Sequence, residues 1–368
     1  MNGNAGQKKW FPYNKGGGER RWYGYLDLLV NWGNDGEEIK NNIDPITGRV
    51  RSHNYNGEYA FREGFTWSGI SSAGFSVRYV PQGYMFDAKG PMGFSSSDNL
   101  FPFMAFFNCK ITTFLMSMLA PTLDFKLGHV LKLPLQPTCD DACLAENAKR
   151  CIEIAKNDWD SFEISRDFLR HSLLDCGSTI QESVNNHLRA SKVLVDELKD
   201  LEHRNNSILL ERYGLHHEMK PDVSLRDVTL QCNPEYRYSA YKGEIASNVL
   251  FVSDLTAELL SYSIGCMMGR YSLDRKGLVY ARSQGRGFSE LVEDDAYKTF
   301  QADDDGIIPL NEQEWFKDDV TNRFREFVQV VWGEEHLQEN LDFVAESLCL
   351  NAIKPKKSES ALETIRRY

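Results

Sequence analysis

An α+β fold is predicted for this chain of 368 residues, because its strand-like and helix-like sequences lie in different regions. Sixteen of the 27 glycines fall in the first hundred residues, where short runs of alternating polar and apolar side chains are separated by turn sequences. Beyond residue 140 the sequence is charged, poor in glycine and periodic at helical spacing. We therefore expect a mixed α/β domain over residues 1–138, a helical spacer over 139–219 and a mainly helical domain over 220–368.

The first domain is expected to combine short strands with one buried helix. The runs GFSVRYV (residues 74–80) and GYMFDA (83–88) alternate in the manner of half-buried strands. An apolar segment predicts a helix over about Asn99–Leu119. After it, DFKLGHVLKLPL predicts a further strand over Asp124–Leu135.

The helical regions are predicted from their apolar periodicity. In the spacer, one set of residues recurs at alternating intervals of about three and four, which is typical of a long amphipathic helix or a helical hairpin with coiled-coil character. These residues are Ile180, Val184, Ser191, Val195, Leu198, Glu202 and Leu209. The third domain is expected to contain helices over Asp254–Tyr271, Thr321–Trp332 and Leu337–Leu350. Between them, Ala302–Pro309 (ADDDGIIP) lacks the alternating carboxylates and closing Glu of a calcium loop, so it is interpreted as an exposed acidic turn.

The charge of the chain is unevenly distributed. The net charge is −11, yet residues 1–138 carry 14 Lys and Arg against 11 Asp and Glu, which leaves 28 against 42 for residues 139–368. The front region also holds 23 of the 44 aromatic residues. Because cations neutralise phosphates and aromatic rings stack on bases, a DNA contact is expected in the front region, and the acidic remainder is expected to face protein or solvent.

A cytoplasmic protein with reduced thiols and no membrane partner is expected. The start MNGNAGQKKW lacks the apolar core of a signal peptide, and the scattered cysteines lack the spacing of a zinc site. The apolar segment Leu100–Pro121 is long enough to cross a bilayer, but Asn108 and Lys110 at its centre would be costly in lipid.

The segment WFPYNKGGGERRWYG, residues 10–24, combines aromatic residues, three consecutive glycines and several cations. This mixture suits a surface that grips nucleic acid, because glycines let backbone amides approach closely while cations and rings contact phosphates and bases. The same pattern is compatible with a glycine-rich loop between strands whose aromatic residues fill a core. The segment alone leaves both interpretations open.

No catalytic, metal-ligating or cofactor-binding residue is predicted. The chain has no GxSxG elbow, and Gly16–Gly18 lacks the Lys-Ser/Thr ending of a phosphate-binding loop. Asn233–Tyr236 (NPEY) is similar to the Asn-Pro-Pro-Tyr tetrad with which amino-methyltransferases hold a flipped adenine. Glu235 replaces the second proline and no glycine-rich cofactor motif precedes it, so the segment is interpreted as a turn.

Long sequence blocks point to a known family. They are WFPYNKGG with RRWYG (10–24), VNWGNDGEEIK (30–40), FREGFTWSGISS with FSVRY (61–79), FFNCKITTFLMSMLAPTLDFKLGHVLKLPL (106–135), NDWDSFEISRDF (157–168), IGCMMGRYSLDRKGLVYA (264–281) and FKDDVTNRFREF with NLDFVAESL (316–348). In this order they resemble the C-terminal part of PglX, the adenine-specific DNA methyltransferase of the BREX phage-defence systems.

The resemblance implies that methyl transfer and target recognition reside in different domains. In that family an N-terminal domain binds S-adenosylmethionine and carries the catalytic tetrad, and the following region resembles the target-recognition domains of restriction-modification enzymes. Residues 1–138 would then be such a domain, and the chain, artificially truncated or encoded by a split gene, would not transfer methyl groups alone. The implied partners are double-stranded DNA, the methyltransferase domain of the parent protein and other BREX subunits. S-adenosylmethionine would bind the missing domain.

The expected DNA contacts lie in the first domain, because an enzyme that flips a base needs a separate surface that selects the site. The candidates for guanine edges or phosphates are Arg49, Arg51, Arg62 and Arg78. The candidates for phosphate contacts are Lys15, Arg20, Arg21 and Lys89. A polar-aromatic loop that could reach a groove contains Trp67, Ser68, Ser71 and Ser72, and the candidates for adenine are Asn31 and Asn34. Each cation has the alternative of a solvated or salt-bridged structural role.

The leading hypothesis is a DNA-binding specificity module of an adenine methyltransferase that marks host DNA in phage defence. The alternative is a protein-interaction module that docks the methyltransferase onto other BREX subunits through the acidic rear and the long helix. The two are compatible, because the charge distribution assigns them to different regions.

Overall fold

The structure is a computed structural model that describes residues 9–52, 56–136, 142–280 and 286–368. Within these ranges the chain forms six strands and twelve α-helices, which confirms the α+β class. The strands are β1 (Trp10–Asn14), β2 (Leu28–Asn31), β3 (Gly64–Trp67), β4 (Val77–Val80), β5 (Met85–Phe86) and β6 (Met92–Gly93). The helices are α1 (Gly33–Lys40), α2 (Ser97–Phe107), α3 (Lys110–Leu119), α4 (Leu127–Val130), α5 (Ala142–Asp160), α6 (Ile180–Arg212), α7 (Pro234–Arg237), α8 (Ser247–Met267), α9 (Phe288–Glu293), α10 (Val320–Trp332), α11 (Leu337–Asn351) and α12 (Ala361–Arg367).

The chain divides into two compact units that alternate along the sequence. Unit 1 comprises the described residues of Met1–Trp159 together with Asp196–Leu230, and unit 2 comprises those of Asp160–Val195 and Gln231–Tyr368. Helix α6 therefore contributes its first half to unit 2 and its second half to unit 1. The predicted domains are consecutive instead, and their boundary between 138 and 139 lies outside the described residues.

Unit 1 contains two three-stranded sheets. Strand β1 lies between β2, to which it is antiparallel, and β5, to which it is parallel. Strand β3 lies between β4 and β6 and is antiparallel to both. The two alternating runs of the sequence become β4 and β5, and every residue of β3 is buried.

Many aromatic residues of the front region fill the core of unit 1. The ring centroids of Phe65 and Phe107 are 5.0 Å apart, and Phe75 packs edge-on against Phe125 at 5.6 Å. The buried Trp67 donates its indole N–H to the carbonyl oxygen of Phe125 at 2.9 Å. Ring pairs of this kind contribute about 0.5–1.5 kcal/mol beyond their buried area. The richness in aromatic residues therefore serves the fold at these positions.

The single helix predicted over Asn99–Leu119 is wrong at its centre, where the chain bends by 62° between α2 and α3. The bend lies at the buried Asn108, whose Oδ1 accepts from the Val77 amide at 2.9 Å and whose Nδ2 donates to the Val77 carbonyl at 3.1 Å. One side chain thus satisfies both backbone groups of the first residue of β4. This requirement explains an Asn inside an apolar segment.

The strand predicted over Asp124–Leu135 is also wrong, because the segment forms α4 and turns. Its buried apolar residues are Phe125, Val130 and Leu133. Their spacing of five and three does not match the period of two that a half-buried strand requires. Leu127 and Leu131, which lie between them in the sequence, are exposed.

The amphipathic stripe predicted for the spacer is confirmed. Its seven members, from Ile180 to Leu209, are all buried along α6, which is 33 residues long. The stripe includes one ionisable residue, Glu202, which has a partner in unit 1 that is described below. Helix α5 precedes α6, so the spacer region is helical on both sides of residues 161–179.

Unit 2 has a helical core. Helices α8, α10 and α11 pack against one another and against the beginning of α6. Phe327 and Val344 are fully buried, and the indole N–H of Trp332 donates to Ser183 Oγ at 3.3 Å. The three helices predicted for the rear of the chain are confirmed with shifted ends, and α8 begins at Ser247, seven residues before its predicted start.

Helix α8 is also long and apolar enough to cross a membrane, as is the bent pair of α2 and α3 if it is counted as one span. The sequence expectation considered Leu100–Pro121 and missed α8. However, 61% of the apolar window of α8 is buried inside the protein. Such burial is typical of a core helix.

Candidate nucleic-acid interface

The three consecutive glycines form a loop after β1 that packs against a second turn of unit 1. Gly16 has a φ of +84°, and a Cβ atom there would lie 2.6 Å from the carbonyl oxygen of Lys89. A Cβ atom on Gly90 would lie 2.4 Å from the nitrogen of Gly16. Only glycine allows two backbones to approach this closely. Lys15 and Lys89 therefore flank one backbone contact, and both are exposed.

Polar side chains hold the two turns in place. Asn14 is buried. Its Nδ2 donates to the carbonyl oxygen of Gly90 at 3.0 Å, and its Oδ1 accepts from the Gly16 amide at 3.3 Å. Asp87 accepts from the amides of Lys89 and Gly90 at 2.7 and 3.1 Å, and from the hydroxyl of Tyr13. Burial and this carboxylate raise the pKa of Tyr13. The Asp87 carboxylate thus orders the turn that presents Lys89.

Replacing Gly90 by Ala is expected to destabilise the protein by about 1–3 kcal/mol, because the added methyl group overlaps backbone atoms that cannot move independently. The free energy of unfolding measured in urea checks this expectation. Gly128→Ala in α4 is the matched control, since nothing lies within 4 Å of its added Cβ, and it should leave stability unchanged or slightly higher. Equal stability of the two variants would contradict the close approach.

Arg78 supports the glycine loop from the interior. It is fully buried, and its guanidinium donates to the Gly18 carbonyl oxygen at 3.3 Å and to Ser68 Oγ at 3.1 Å. The guanidinium carbon lies 5.3 Å from the centroid of the Tyr25 ring. Ser68 Oγ also accepts from the Gly17 amide at 3.2 Å. The predicted DNA contacts of Arg78 and Ser68 are therefore corrected to structural roles, because both side chains are inaccessible to a duplex.

Arg20 lies in a buried ion pair. Its Nη2 is 2.7 Å from Asp158 Oδ2, and both side chains are fully buried. The guanidinium also donates to the carbonyl oxygens of Ala155 and Tyr23 at 3.0 and 2.6 Å, and it lies 5.2 Å from the ring of Trp159. The RRWYG block thus fastens the strand region to the end of α5. The predicted phosphate contact of Arg20 is corrected, because its charge is neutralised inside the protein.

Arg21 is fastened to α6 in the same way. Its Nη1 is 3.0 Å from Glu202 Oε2, and the indole N–H of Trp22 donates to Glu202 Oε1 at 2.7 Å. Burial raises the pKa of the Glu202 carboxyl, and the Arg21 guanidinium opposes that rise. The carboxylate in the apolar stripe of α6 is therefore the partner of the RRWYG block. The predicted phosphate contact of Arg21 is corrected to an internal ion pair.

The loop after β3 is largely internal. Trp67 and Ser71 are 1% and 8% exposed, and Ser71 Oγ accepts from the Ala73 amide at 3.3 Å. The Ser71 amide donates to the carbonyl oxygen of Leu123 at 2.9 Å. The predicted groove contacts of Trp67 and Ser71 are corrected for this reason. Ser72 is exposed and remains a candidate.

Residues 42–51 form an exposed hairpin that carries two of the predicted arginines. Ile43 pairs with Val50 in an antiparallel bridge, and the Asp44 amide donates to the carbonyl oxygen of Arg49 at 2.8 Å. The Asp44 carboxylate accepts from two amides of the turn at 2.9 Å each. Because all these bonds join residues within 42–51, the hairpin is held together by its own ten residues.

The hairpin exposes cations beside an apolar tip. Arg49 is exposed, and Arg51 is 54% exposed and lies 3.2 Å from Asp44. Exposed pairs of this kind contribute about 0–1 kcal/mol, so Arg51 can exchange Asp44 for a phosphate. Ile46 at the tip is 92% exposed. Ile46 is not among the residues predicted from the sequence, although an apolar residue inside a Pro/Gly turn was the available signal.

Arg62 is exposed and stacked on an aromatic ring. Its guanidinium lies 5.0 Å from the Tyr59 ring, which packs on Phe94 at 5.3 Å. A stacked guanidinium keeps its N–H edge free for a base or a phosphate. Tyr59 is likewise absent from the predicted residues, and its place three positions before Arg62 is the signal that points to it.

Asn31 is the last residue of β2, Asn34 lies in the first turn of α1, and both side chains bond locally. Asn31 is half-buried and donates to Glu38 at 2.6 Å. Asn34 is exposed, has a φ of +50° and donates to Glu37 at 3.2 Å. Both amides would have to leave these carboxylates to pair with adenine, so their role stays a prediction.

The structure leaves seven of the fourteen predicted contact residues exposed. They are Lys15, Asn34, Arg49, Arg51, Arg62, Ser72 and Lys89. It brings Lys15 next to Lys89, and Arg49 and Arg51 into one hairpin. These two pairs are the candidate DNA contacts that remain exposed and are brought together by the fold.

The tetrad-like segment of unit 2 caps a helix. Asn233 is buried, and its Oδ1 accepts from the Glu235 amide at 3.2 Å at the start of α7. This is the ordinary role of an N-cap Asn. Within the described ranges, no group of three or more His, Cys, Asp or Glu is placed to hold a metal ion.

No family model matches the chain. The adenine-specific methyltransferase BrxX of Escherichia coli O9:H4 (strain HS) is 44% identical over 370 residues, which cover 99% of this chain and 29% of that protein. The adenine-specific methyltransferase PglX of Lacticaseibacillus casei (strain Zhang) is 37% identical over 370 residues, which cover 98% of this chain and 28% of that protein. The chain thus spans less than a third of the length of these curated relatives. The resemblance indicated by the sequence blocks is confirmed: over nearly its whole length the chain is similar to part of each of these two adenine-specific methyltransferases.

Proposed function

We propose that this chain reads the DNA sequence at which an adenine-specific methyltransferase acts. The proposal is supported by the names of its relatives and, above all, by the exposed hairpin 42–51 with Arg49 and Arg51. Arginine is the side chain that most often reads a base edge, through paired hydrogen bonds to guanine. The hairpin is held by one antiparallel bridge, and two extended backbone segments side by side are narrow enough to enter the major groove.

The remaining exposed cations suit phosphates. Lys15 and Lys89 are both exposed, and their backbones meet at the close approach of Gly16 and Gly90. Contacts to phosphates fix the register of a protein on the duplex, and contacts to bases supply specificity. We assign the first role to the two lysines and the second to the hairpin arginines. Arg62 on Tyr59 can serve either purpose.

The proposal places methyl transfer elsewhere in the parent protein. S-adenosylmethionine would bind a separate methyltransferase domain, and the complete protein would modify host DNA in the cytoplasm as part of a BREX phage-defence system. This chain would then bind duplex DNA and be inactive as an enzyme alone. Docking onto other proteins, the alternative function, is compatible with this role because it would use residues outside the interface.

We expect the double variant Arg49→Ala/Arg51→Ala to weaken duplex binding by about 1–3 kcal/mol for each arginine that reads a base. The measurement is fluorescence anisotropy of the full chain with a mixed-sequence duplex at several salt concentrations. Wild-type affinity should fall steeply with salt, with a slope of about 0.9 for each neutralised phosphate.

The matched control is Lys276→Ala/Lys298→Ala, which removes two exposed cations of unit 2. Its affinity for DNA should equal that of the wild type. Binding that ignores salt, or that both double variants weaken equally, would refute the hairpin as the reading element.

A further inference from the structure

A loop of unit 2 presents large apolar side chains to solvent. In residues 303–318, here called the acidic aromatic loop, Ile307 is 68% exposed, Leu310 62%, Trp315 75% and Phe316 51%. Single exposed apolar residues are ordinary, but several large ones in one short segment mark an interaction surface. Trp315 is the most exposed tryptophan in the described ranges.

The acidic aromatic loop is fastened to the helices beside it. The Pro309 carbonyl oxygen accepts from the Val320 amide at 3.0 Å, at the start of α10. The Asn311 carbonyl oxygen accepts from Arg366 of α12 at 2.9 Å. Arg366 is itself held by the buried Asp319 at 2.8 Å. The exposure of the apolar residues is therefore a property of an anchored loop and does not come from a frayed end.

The charge of this loop indicates what would cover it. Its carboxylates outnumber its ammonium groups by six to one. The carboxylates are Asp303, Asp304, Asp305, Glu312, Glu314 and Asp318, and the ammonium group is that of Lys317. Phosphates of DNA and anionic lipids would be repelled, and two copies meeting through the same loop would place like charges opposite each other. The complementary occupant is a protein surface rich in Lys and Arg.

The lysines of a neighbouring cleft do not cancel this charge. Leu310 of the loop lines an open cleft together with Lys356 and Lys357. Arg366 and Arg367 line the same cleft, and they pair with Asp319 and Glu359 at 2.8 and 2.6 Å. Glu363 also lines the cleft, so four cations stand against three carboxylates outside the loop, an excess of one positive charge against the net of five negative charges on the loop.

We propose that the acidic aromatic loop docks a second protein, through a basic surface that surrounds an apolar recess for Trp315. Tryptophan is enriched among the residues that dominate binding energy at interfaces. The surrounding carboxylates would accelerate encounter and exclude acidic partners. This site is independent of the proposed DNA interface, because its residues belong to unit 2 and its charge repels phosphate.

The test is pairwise binding. The proteins encoded by the genes adjoining this one are purified singly, and each is titrated against the full chain by calorimetry. One with a basic surface should bind, and Trp315→Ala/Phe316→Ala should weaken that binding by about 30-fold or more. Glu312→Lys/Glu314→Lys should slow association and reverse its salt dependence.

The matched control is Val292→Ala/Leu350→Ala, which truncates two apolar residues of unit 2 that are 49% and 45% exposed and lie outside the loop. It should bind like the wild type, and all variants should keep the wild-type melting temperature. Absence of binding to every adjoining protein at about 100 μM, or binding that the loop variants leave unchanged, overturns the proposal. DNA affinity should stay unchanged in the loop variants, which separates this outcome from a failure of the DNA proposal.

Discussion

Asp158→Ala should lower the free energy of unfolding by about 3–5 kcal/mol, because it leaves the Arg20 guanidinium buried without a counter-charge. Both side chains of the pair are fully buried, so solvent cannot screen the stranded charge. Urea unfolding of the full chain measures the loss. The effect should exceed that of any exposed cation named above, since those pairs contribute about 0–1 kcal/mol.

Two further variants test whether the unpaired buried charge causes this loss of stability. Asp44→Ala removes the carboxylate partner of Arg51 in an exposed ion pair together with two turn hydrogen bonds, and it should change stability by at most about 2 kcal/mol. Arg20→Met/Asp158→Leu removes both buried charges, and it should recover much of the loss. If Asp158→Ala and Asp44→Ala were equally stable, the buried pair would not fasten the strand region to α5.

His171→Asn should abolish a loss of stability that the wild-type chain shows on acidification below about pH 6.5. His171 is buried in unit 2, its Nδ1 accepts from the Leu173 amide at 3.3 Å, and its Nε2 has no hydrogen-bond partner among the described residues. Burial, assisted by the charge of His187, lowers the pKa of His171 from 6.5 to about 3.

The direction of the change in stability with pH follows from proton binding by the folded and unfolded states. Between pH 6.5 and pH 3 the unfolded imidazole takes up a proton that the folded one excludes, so acid favours unfolding across this window. At about 1.4 kcal/mol per pH unit, this loss of stability reaches about 5 kcal/mol at the lower end of the window. Above pH 7 the imidazole is neutral in both states, so the loss is absent and stability does not depend on the protonation of His171.

Urea unfolding of wild type and variant at half-unit steps from pH 7 to pH 4 measures the difference. The two curves should converge as the pH falls, because only the wild type loses the contribution of His171. The control His216→Asn changes an exposed histidine of unit 1 and should leave the pH dependence as it is. Parallel curves for His171→Asn and wild type would show that the folded protein accommodates a charged imidazole at this position.

The parts of the fold that depend on nearby residues could be predicted from the sequence. The stripe of α6 was found because its members recur every three or four positions. The hairpin 42–51 was not predicted, although its contacts are equally local, since Asp44 and Arg51 are seven positions apart. Local spacing carries this information, and a single sequence displays it.

The roles of the buried cations could not be predicted in this way. Arg20 meets Asp158 at a separation of 138 positions, and Arg21 meets Glu202 at a separation of 181. Nothing in the RRWYG block distinguishes an arginine that faces a phosphate from one that faces a distant carboxylate. The break at Asn108 has the same origin, because its partner Val77 lies 31 positions earlier.

Because the two units alternate along the sequence, recombination within the gene would separate residues that belong to one unit. A recombination event that replaced residues 1–159 would import a strand region without the stretch 196–230 that completes unit 1. The imported residue at position 21 would then face a helix α6 that came from a different sequence. Point mutations in the self-contained hairpin 42–51 should therefore be tolerated more readily than an exchange of residues 1–159.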